Sequence, residues 1–295
     1  MQRRSFVQSS AGIISFSALP SWVKFIHVLP YDMTPIRRNV GFFTEKGGTI
    51  GWLIQEDSVI VIDAQFRDTA PHLIEEIKKK GTAPIRYLIN THHHGDHTSG
   101  NIAFKGIARN VLAHENSRTN QMNAAAKNGN EKDQLYPDIV FNTQWQEKIG
   151  DEIIDIQYWG PAHTNGDSII HFQNANVVHC GDLVFNRRFP YIDKTAGARI
   201  DNWIEILQRM QSHFDNDTIF IFGHAQKDYA VTGNKDDLAA FADYLQALLD
   251  FVAAEIKSGK SKDQIMACKS IPGAPQWTGD GIERSLTAAL EELGH

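Results

Sequence analysis

Residues 92–97 read His-His-His-Gly-Asp-His, four imidazoles and a carboxylate within six positions. Imidazoles this close are costly to protonate together, and neutral imidazole is the commonest metal ligand. Such a run makes neither a core nor an ordinary surface. A purification tag would sit at a terminus, whereas this stretch follows the apolar Ile85–Ile89. Written as H-x-H-x-D-H, it puts His92 and His94 on one side of an extended segment, because strand side chains alternate with period two. The same alternation turns His93 away. Asp96 and His97 follow where the chain turns, and address a second spot nearby. The spacing points to a metal site, and to two metals rather than one.

Three more donors repeat one local design. His163 lies in Gly160-Pro161-Ala162-His163-Thr164-Asn165-Gly166-Asp167, after an apolar run ending at Trp159. Asp182 follows Cys180-Gly181 directly after the run 177–179, and His224 follows Gly223 directly after the run 218–222. Each alone is a plain loop residue. Together they place a metal-capable side chain beside glycine at the end of one strand after another, the usual arrangement in α/β folds whose chemistry is carried on loops.

The elements that must position these groups can be read in order. Val40–Thr44 and residues 49–54 form a hairpin through Glu45-Lys46-Gly47-Gly48, and its loop from residue 42 to 48 is expected to cover the substrate. Val59–Ile62 is a wholly apolar strand ending at Asp63, an expected partner for a ligand histidine. Residues 70–80 form a helix with Pro71 in the first turn, Lys78 to Lys80 in the last, and Gly81 as the stop. Further strands are expected at 111–114, 153–159, 168–172, 177–179 and 218–222, with residues 115–138 a partly helical surface excursion. Helical stripes at 201–214, at Leu238 to Ile256 and at Ile282 to Leu293 make the last third helical, as core-facing surfaces. Two strand-rich halves, each closed by helices, imply sheets packed face to face with helices outside.

Composition narrows the partners. The 295 residues are 42% hydrophobic and 22% charged, enough for a sizeable globular core. A net charge of −6 and no basic patch argue against a nucleic-acid or anionic-membrane partner, leaving a small-molecule substrate. The two cysteines, Cys180 and Cys268, exclude a disulfide framework and a Cys-rich zinc site, and Cys180 reads as a small buried hydrophobe. Met1-Gln2-Arg3-Arg4-Ser5-Phe6-Val7 precedes a short apolar stretch ending at Pro20. It resembles a twin-arginine export signal, so residues 1–22 are expected to be removed and residues 23–295 to form the mature periplasmic domain with a C-terminal helical extension. No other stretch is long and apolar enough for a transmembrane helix, so no stable membrane insertion is expected.

The order H-x-H-x-D-H, G-x-x-H-T-x-G-D, G-D-L-V-F, G-H resembles the metallo-β-lactamase superfamily over residues 39–224. The resemblance implies an α/β fold, an αββα sandwich of two mixed β-sheets with outer helices and the site along one sheet edge. Carried over by motif, His92, His94 and His163 would bind the first metal. Asp96, His97 and His224 would bind the second, with Asp182 bridging. Nitrogen and carboxylate donors without thiolate suit two zinc ions, with iron or manganese as alternatives. Paired cations bring the pKa of a shared water towards neutrality, and Asp96 is the expected group to orient the hydroxide and relay its proton. The implied activity is hydrolysis of a small ester, lactone, thioester or amide. The alternatives are β-lactam hydrolysis and an iron-dependent redox role such as that of a sulfur dioxygenase. Two departures bear on these. Phe185 stands where true β-lactamases carry a lysine for the drug's carboxylate, and Asp167 where glyoxalase-type thioesterases carry a histidine. Arg187 and Arg188 are either a solvated basic turn or a replacement anion contact.

Overall fold

The computed structural model describes Tyr31–His295, so the expected export signal lies outside the described residues. The first sheet has seven strands in sequence order: β1 (Asp32–Arg37), β2 (Val40–Thr44), β3 (Ile50–Ile54), β4 (Val59–Ile62), β5 (Ile85–Ile89), β6 (Ala108–His114) and β7 (Ile139–Phe141). Tight turns join β1 to β4 antiparallel. From β4 to β7 the pairing is parallel, which requires longer crossovers. These contain α1 (Ala70–Lys80), the single turn α2 (Gly95–Thr98) and α3 (Glu115–Asn128). The second sheet comprises β8 (Gln144–Ile149), β9 (Glu152–Gln157), β10 (Ile169–Phe172), β11 (Val177–Asn186), β12 (Ile219–Ala225) and β13 (Thr232–Gly233). Helices α4 (Ile200–His213), α5 (Lys235–Lys257), α6 (Lys262–Met266) and α7 (Ile282–Glu292) complete the chain.

Strand β4 shows why the layers stack. Its four apolar residues alternate between faces. Ile60 and Ile62 join Leu53, Ile89, Ile156, Ile170 and Ile221 between the two sheets. Val59 and Val61 meet Leu73, Ile74 and Ile77 of α1 on the outer face. On the far side, Trp203, Leu207, Phe241, Leu245 and Leu286 from α4, α5 and α7 cover the second sheet. The result is the expected αββα sandwich. Each such aliphatic side chain taken from water contributes about 1.5–3 kcal/mol before the cost of ordering the chain. A polar tie crosses between the sheets: His179 of β11 donates Nε2–H to Thr49 O at 3.1 Å and accepts at Nδ1 from Gly181 N–H at 3.1 Å.

Two expectations about strand ends are corrected. Strand β11 does not stop at His179 but runs to Asn186, so Asp182 lies inside it. The ladder with β12 shifts register on either side of Gly181, which sits at φ +51° opposite Phe222, and the next pair is Phe185 opposite His224. His224 likewise lies within β12. Strands β1, β7, β8 and β13 were not anticipated. In β8 every second residue is exposed, as on a sheet edge, and Gln-Trp-Gln-Glu-Lys-Ile reads as polar. The stretch 115–138 is less peripheral than expected, since α3 buries Ser117, Gln121 and Ala125. Gln121 also donates to Asn90 at the end of β5.

Candidate metal centre

Strand β5 ends at Ile89, and the extended segment after it carries His92 and His94. Their nitrogens meet: His92 Nε2 is 3.0 Å from His94 Nδ1, and His163 Nε2 is 3.3 Å and 2.9 Å from the two. The opposite nitrogen of each ring fixes its tautomer. His163 Nδ1 must donate to the Tyr191 carbonyl at 2.7 Å, and His94 Nε2 to the Asp193 carboxylate at 3.0 Å. Thr91 Oγ1 spends its proton on Asp63 and so accepts from His92 Nδ1 at 3.0 Å. Three lone pairs are therefore left facing one another. Burial pushes His163 down to about 3 despite the Asp182 carboxylate, and His92 well below the usual imidazole range, so protons do not relieve that repulsion. Tetrahedral nitrogens around one zinc would be about 3.3 Å apart, which these spacings fit.

The turn α2 redirects the chain so that Asp96 and His97 meet His224. Asp96 Oδ2 is 3.1 Å from His224 Nε2, and the His97 and His224 Nε2 atoms are 3.4 Å apart. His97 Nδ1 donates to Asp63 Oδ2 at 2.7 Å, as anticipated for that aspartate. Asp182 stands between the two halves. Its Oδ2 lies 3.4 Å from His163 Nε2 and 3.8 Å from His92 Nε2. Its Oδ1 lies 3.0 Å from His97 Nε2 and 3.4 Å from His224 Nε2. Although buried, Oδ1 receives no well-formed hydrogen bond. Burial would lower His224, but the Asp182 and Asp96 carboxylates prevail and lift it to about 9. Burial likewise opposes ionisation of Asp182, yet His224 and His97 hold it well below the usual carboxylate range. This half demands positive charge, and the other offers lone pairs. Both are what divalent cations satisfy.

Close backbone approach makes the cradle. A methyl on Gly223 would meet Asp182 Oδ1 at 2.0 Å, and one on Gly48 would meet the His97 ring at 2.2 Å. All seven expected ligands thus converge in two groups, His92, His94, His163 and Asp182 in one and Asp96, His97 and His224 in the other. His93 belongs to neither. Its Nε2 is 3.6 Å from Asp193, on the opposite edge of the His94 ring.

Other expectations are sorted by the same geometry. Cys180 is buried in the core outside the second sheet, where burial pushes its thiol up. The residue 42–48 loop does not line the cavity above the site. Its Gly48 presses on His97, and its carbonyl accepts from Gln65 at 2.8 Å. Arg187 stacks on Trp277 at 4.7 Å and faces Asp237 at 3.8 Å, whereas Arg188 lines the cavity. Sequence reasoning missed Asp193, Tyr191 and Arg284. None has a motif around it, although Tyr191 and Asp193 follow soon after the singled-out Arg187 and Arg188.

Fold and site together define a metallo-hydrolase with candidate metal-binding His/Asp clusters. Residues 44–224 match the model of the metallo-beta-lactamase superfamily, and the chain belongs to that family. It is 23% identical over 204 residues to a type 2 metallo-beta-lactamase of Bacillus sp. (strain 170), covering 66% of this chain and 76% of the relative. It is 26% identical over 212 residues to a probable hydroxyacylglutathione hydrolase of Schizosaccharomyces pombe, covering 70% and 75%. Among solved structures, a metallo-beta-lactamase from Pontibacter korlensis superposes with a TM-score of 0.61 at 20% identity, covering 73% of this chain and 99% of that one.

Proposed function

We propose that this protein is a dinuclear zinc hydrolase of small esters, lactones, thioesters or amides. His92, His94 and His163 would hold one ion and Asp96, His97 and His224 the other, with Asp182 between them. Bound zinc supplies Lewis-acid activation of water at neutral pH. The chain's own residues do the rest. Asp63, Asp193 and the Tyr191 carbonyl fix the tautomers of His97, His94 and His163. Asp96, the most exposed of the seven candidate ligands at 31%, lines the cavity, which supports its orienting the attacking water and taking its proton. The observation that carries the reading is the split of Asp182, one oxygen towards each cluster.

The test is metal analysis of protein from its native host, together with turnover of nitrocefin, thioesters, lactones and phosphodiesters. Two zinc ions per chain and cleavage of a carbonyl substrate are expected. Equimolar iron with little zinc would move the reading to a redox member of the family. A β-lactamase reading draws on the names of several relatives. Against it, Phe185 fills the lysine position and stacks on His224 at 5.3 Å. We further propose that residues 1–22 direct export and that residues 23–295 act in the periplasm. N-terminal sequencing of the protein from a periplasmic fraction checks both.

A further inference from the structure

The cavity lined by His94, Asp96, Asp182 and His224 has a volume of about 290 Å³ and is also lined by Arg188, Tyr191 and Arg284. Arg284 comes from α7, beyond the residues 44–224 that match the family model. The C-terminal segment is fastened at this rim. Phe189 N–H donates to Thr278 O at 3.3 Å, Thr278 N–H to Arg187 O at 3.1 Å, and Ser285 Oγ to Pro190 O at 3.2 Å. Two arginines from distant parts of the chain are thereby brought to one opening. Arg284 lies over the Tyr191 ring at 5.3 Å, and that ring is 5.1 Å from His94.

Ion pairing does not account for these two arginines. Arg187 next door has Asp237 and Trp277 as partners. Arg188 and Arg284 make no ion pair among the described residues, and Asp280 is the one further carboxylate in the cavity wall. Arg284 also occupies the first turn of α7, where the helix dipole disfavours a cation. Guanidinium presents a fixed fork of donors that matches carboxylate and phosphate oxygens in pairs.

We propose that Arg188 and Arg284 form a subsite for an anionic group, carboxylate or phosphate-like, on the molecule whose other end is cleaved at the metal centre. The inference rests on the hydrolase reading of that centre and narrows it to anionic substrates.

The test uses the metal-loaded chain and three matched esters: 4-acetoxybenzoate, 4-acetoxyphenylphosphonate and the neutral methyl 4-acetoxybenzoate. The expected result is a KM about tenfold or more lower for at least one anion than for the neutral ester. Replacing both arginines by alanine should abolish that preference, raising KM for the anion towards that of the neutral ester. The anion preferred identifies the source as carboxylate or phosphate-like. Lysine at both positions should restore part of the preference, and Arg199→Ala, an exposed arginine elsewhere, should leave it intact. Calorimetry with the uncleavable ketone 4-(2-oxopropyl)benzoate, its phosphonate counterpart and its neutral methyl ester separates binding from turnover. If no ester is cleaved but an anionic ketone binds tenfold more tightly, and only with both arginines present, the hydrolase reading fails and the subsite stands. No preference for either anion in both assays, or one that survives the double substitution, overturns the proposal.

Discussion

Oδ2 of Asp63 lies 2.7 Å from Nδ1 of His97, and both side chains are wholly buried. The same carboxylate accepts Thr91 N–H at 2.8 Å and Thr91 Oγ1–H at 2.7 Å, so one residue orients a candidate ligand and the segment leading to His92. Strand β4 ends there, and Asp63 takes φ +66°, a conformation that Asp and Asn tolerate better than other side chains. The apolar strand thus delivers a carboxylate under the site at a backbone angle few residues accept.

Asp63→Asn keeps the backbone shape and removes the charge. Loss of such an outer partner commonly costs 10–100-fold in metal affinity, and a fall of about that size is expected. Titration against a competing chelator measures it. Asp63→Ala should in addition cost about 1–3 kcal/mol, because the Thr91 donors and His97 Nδ1–H lose a buried acceptor. A urea melt of the metal-free protein would show that loss, and equal stability of the Ala variant and the parent would contradict it.

Metal removal should cost stability as well as activity. The cluster of lone pairs in His92, His94 and His163 is relieved only by a cation, so binding to the folded chain should stabilise it. Free metal at a hundredfold its Kd adds about 2.7 kcal/mol. Thermal melts with and without chelator should therefore differ, and adding zinc back should restore both Tm and turnover. His92→Ala should abolish activity and shrink this difference. A variant that kept full activity would move the chemistry elsewhere.

Gly223 permits the approach of β12 to Asp182. A methyl there would also meet the Gly181 and Asp182 backbone at 2.8 Å and 2.9 Å, and a backbone cannot swing aside as a side-chain tip can. Gly223→Ala should cost about 1–3 kcal/mol by overpacking and displace the Asp182 carboxylate. Less than two metals per folded chain, measured by atomic absorption, is the expected signature. Full metal content would show that the strands part without moving Asp182.

The candidate metal centre was far more legible than what surrounds it. His92, His94, Asp96 and His97 advertise themselves by crowding, and His163, Asp182 and His224 by glycines that allow the close approaches now seen at Gly223 and Gly181. The apolar runs of β4, β5 and β12 were readable because both faces are covered, whereas β8 was hidden by its exposed alternate residues. Asp193 escaped notice because its role depends on a tertiary contact 99 residues away from His94, for which local spacing leaves no trace. Arg284 is a surface residue on an amphipathic helix, and only the fastening of Thr278 to β11 and the residues after it brings it to the cavity. The end of β11 was misplaced for a related reason. Gly181 resembles a terminator in sequence, but the neighbouring β12 carries the strand past it.

His179 should give the fold a pH dependence of its own. The ring is buried and satisfied as a neutral imidazole, with Nε2–H on Thr49 O and Nδ1 accepting from Gly181. Burial lowers its pKa from 6.5 to about 4. Above pH 6.5 neither the folded nor the unfolded chain holds the extra proton, and the full contribution to stability is present. As pH falls towards 4, the unfolded chain takes up a proton that the folded one refuses, so stability declines by about 1.4 kcal/mol per pH unit. The total is on the order of 3 kcal/mol, exhausted once the folded ring also titrates. Urea melts of metal-free protein between pH 7 and about pH 4 should show a shallower decline for His179→Gln than for the parent chain. Other buried histidines add to the slope of both proteins, so the difference between them is the measurement. Parallel curves would mean that this ring keeps an ordinary pKa and that the tie between the sheets does not depend on its being neutral.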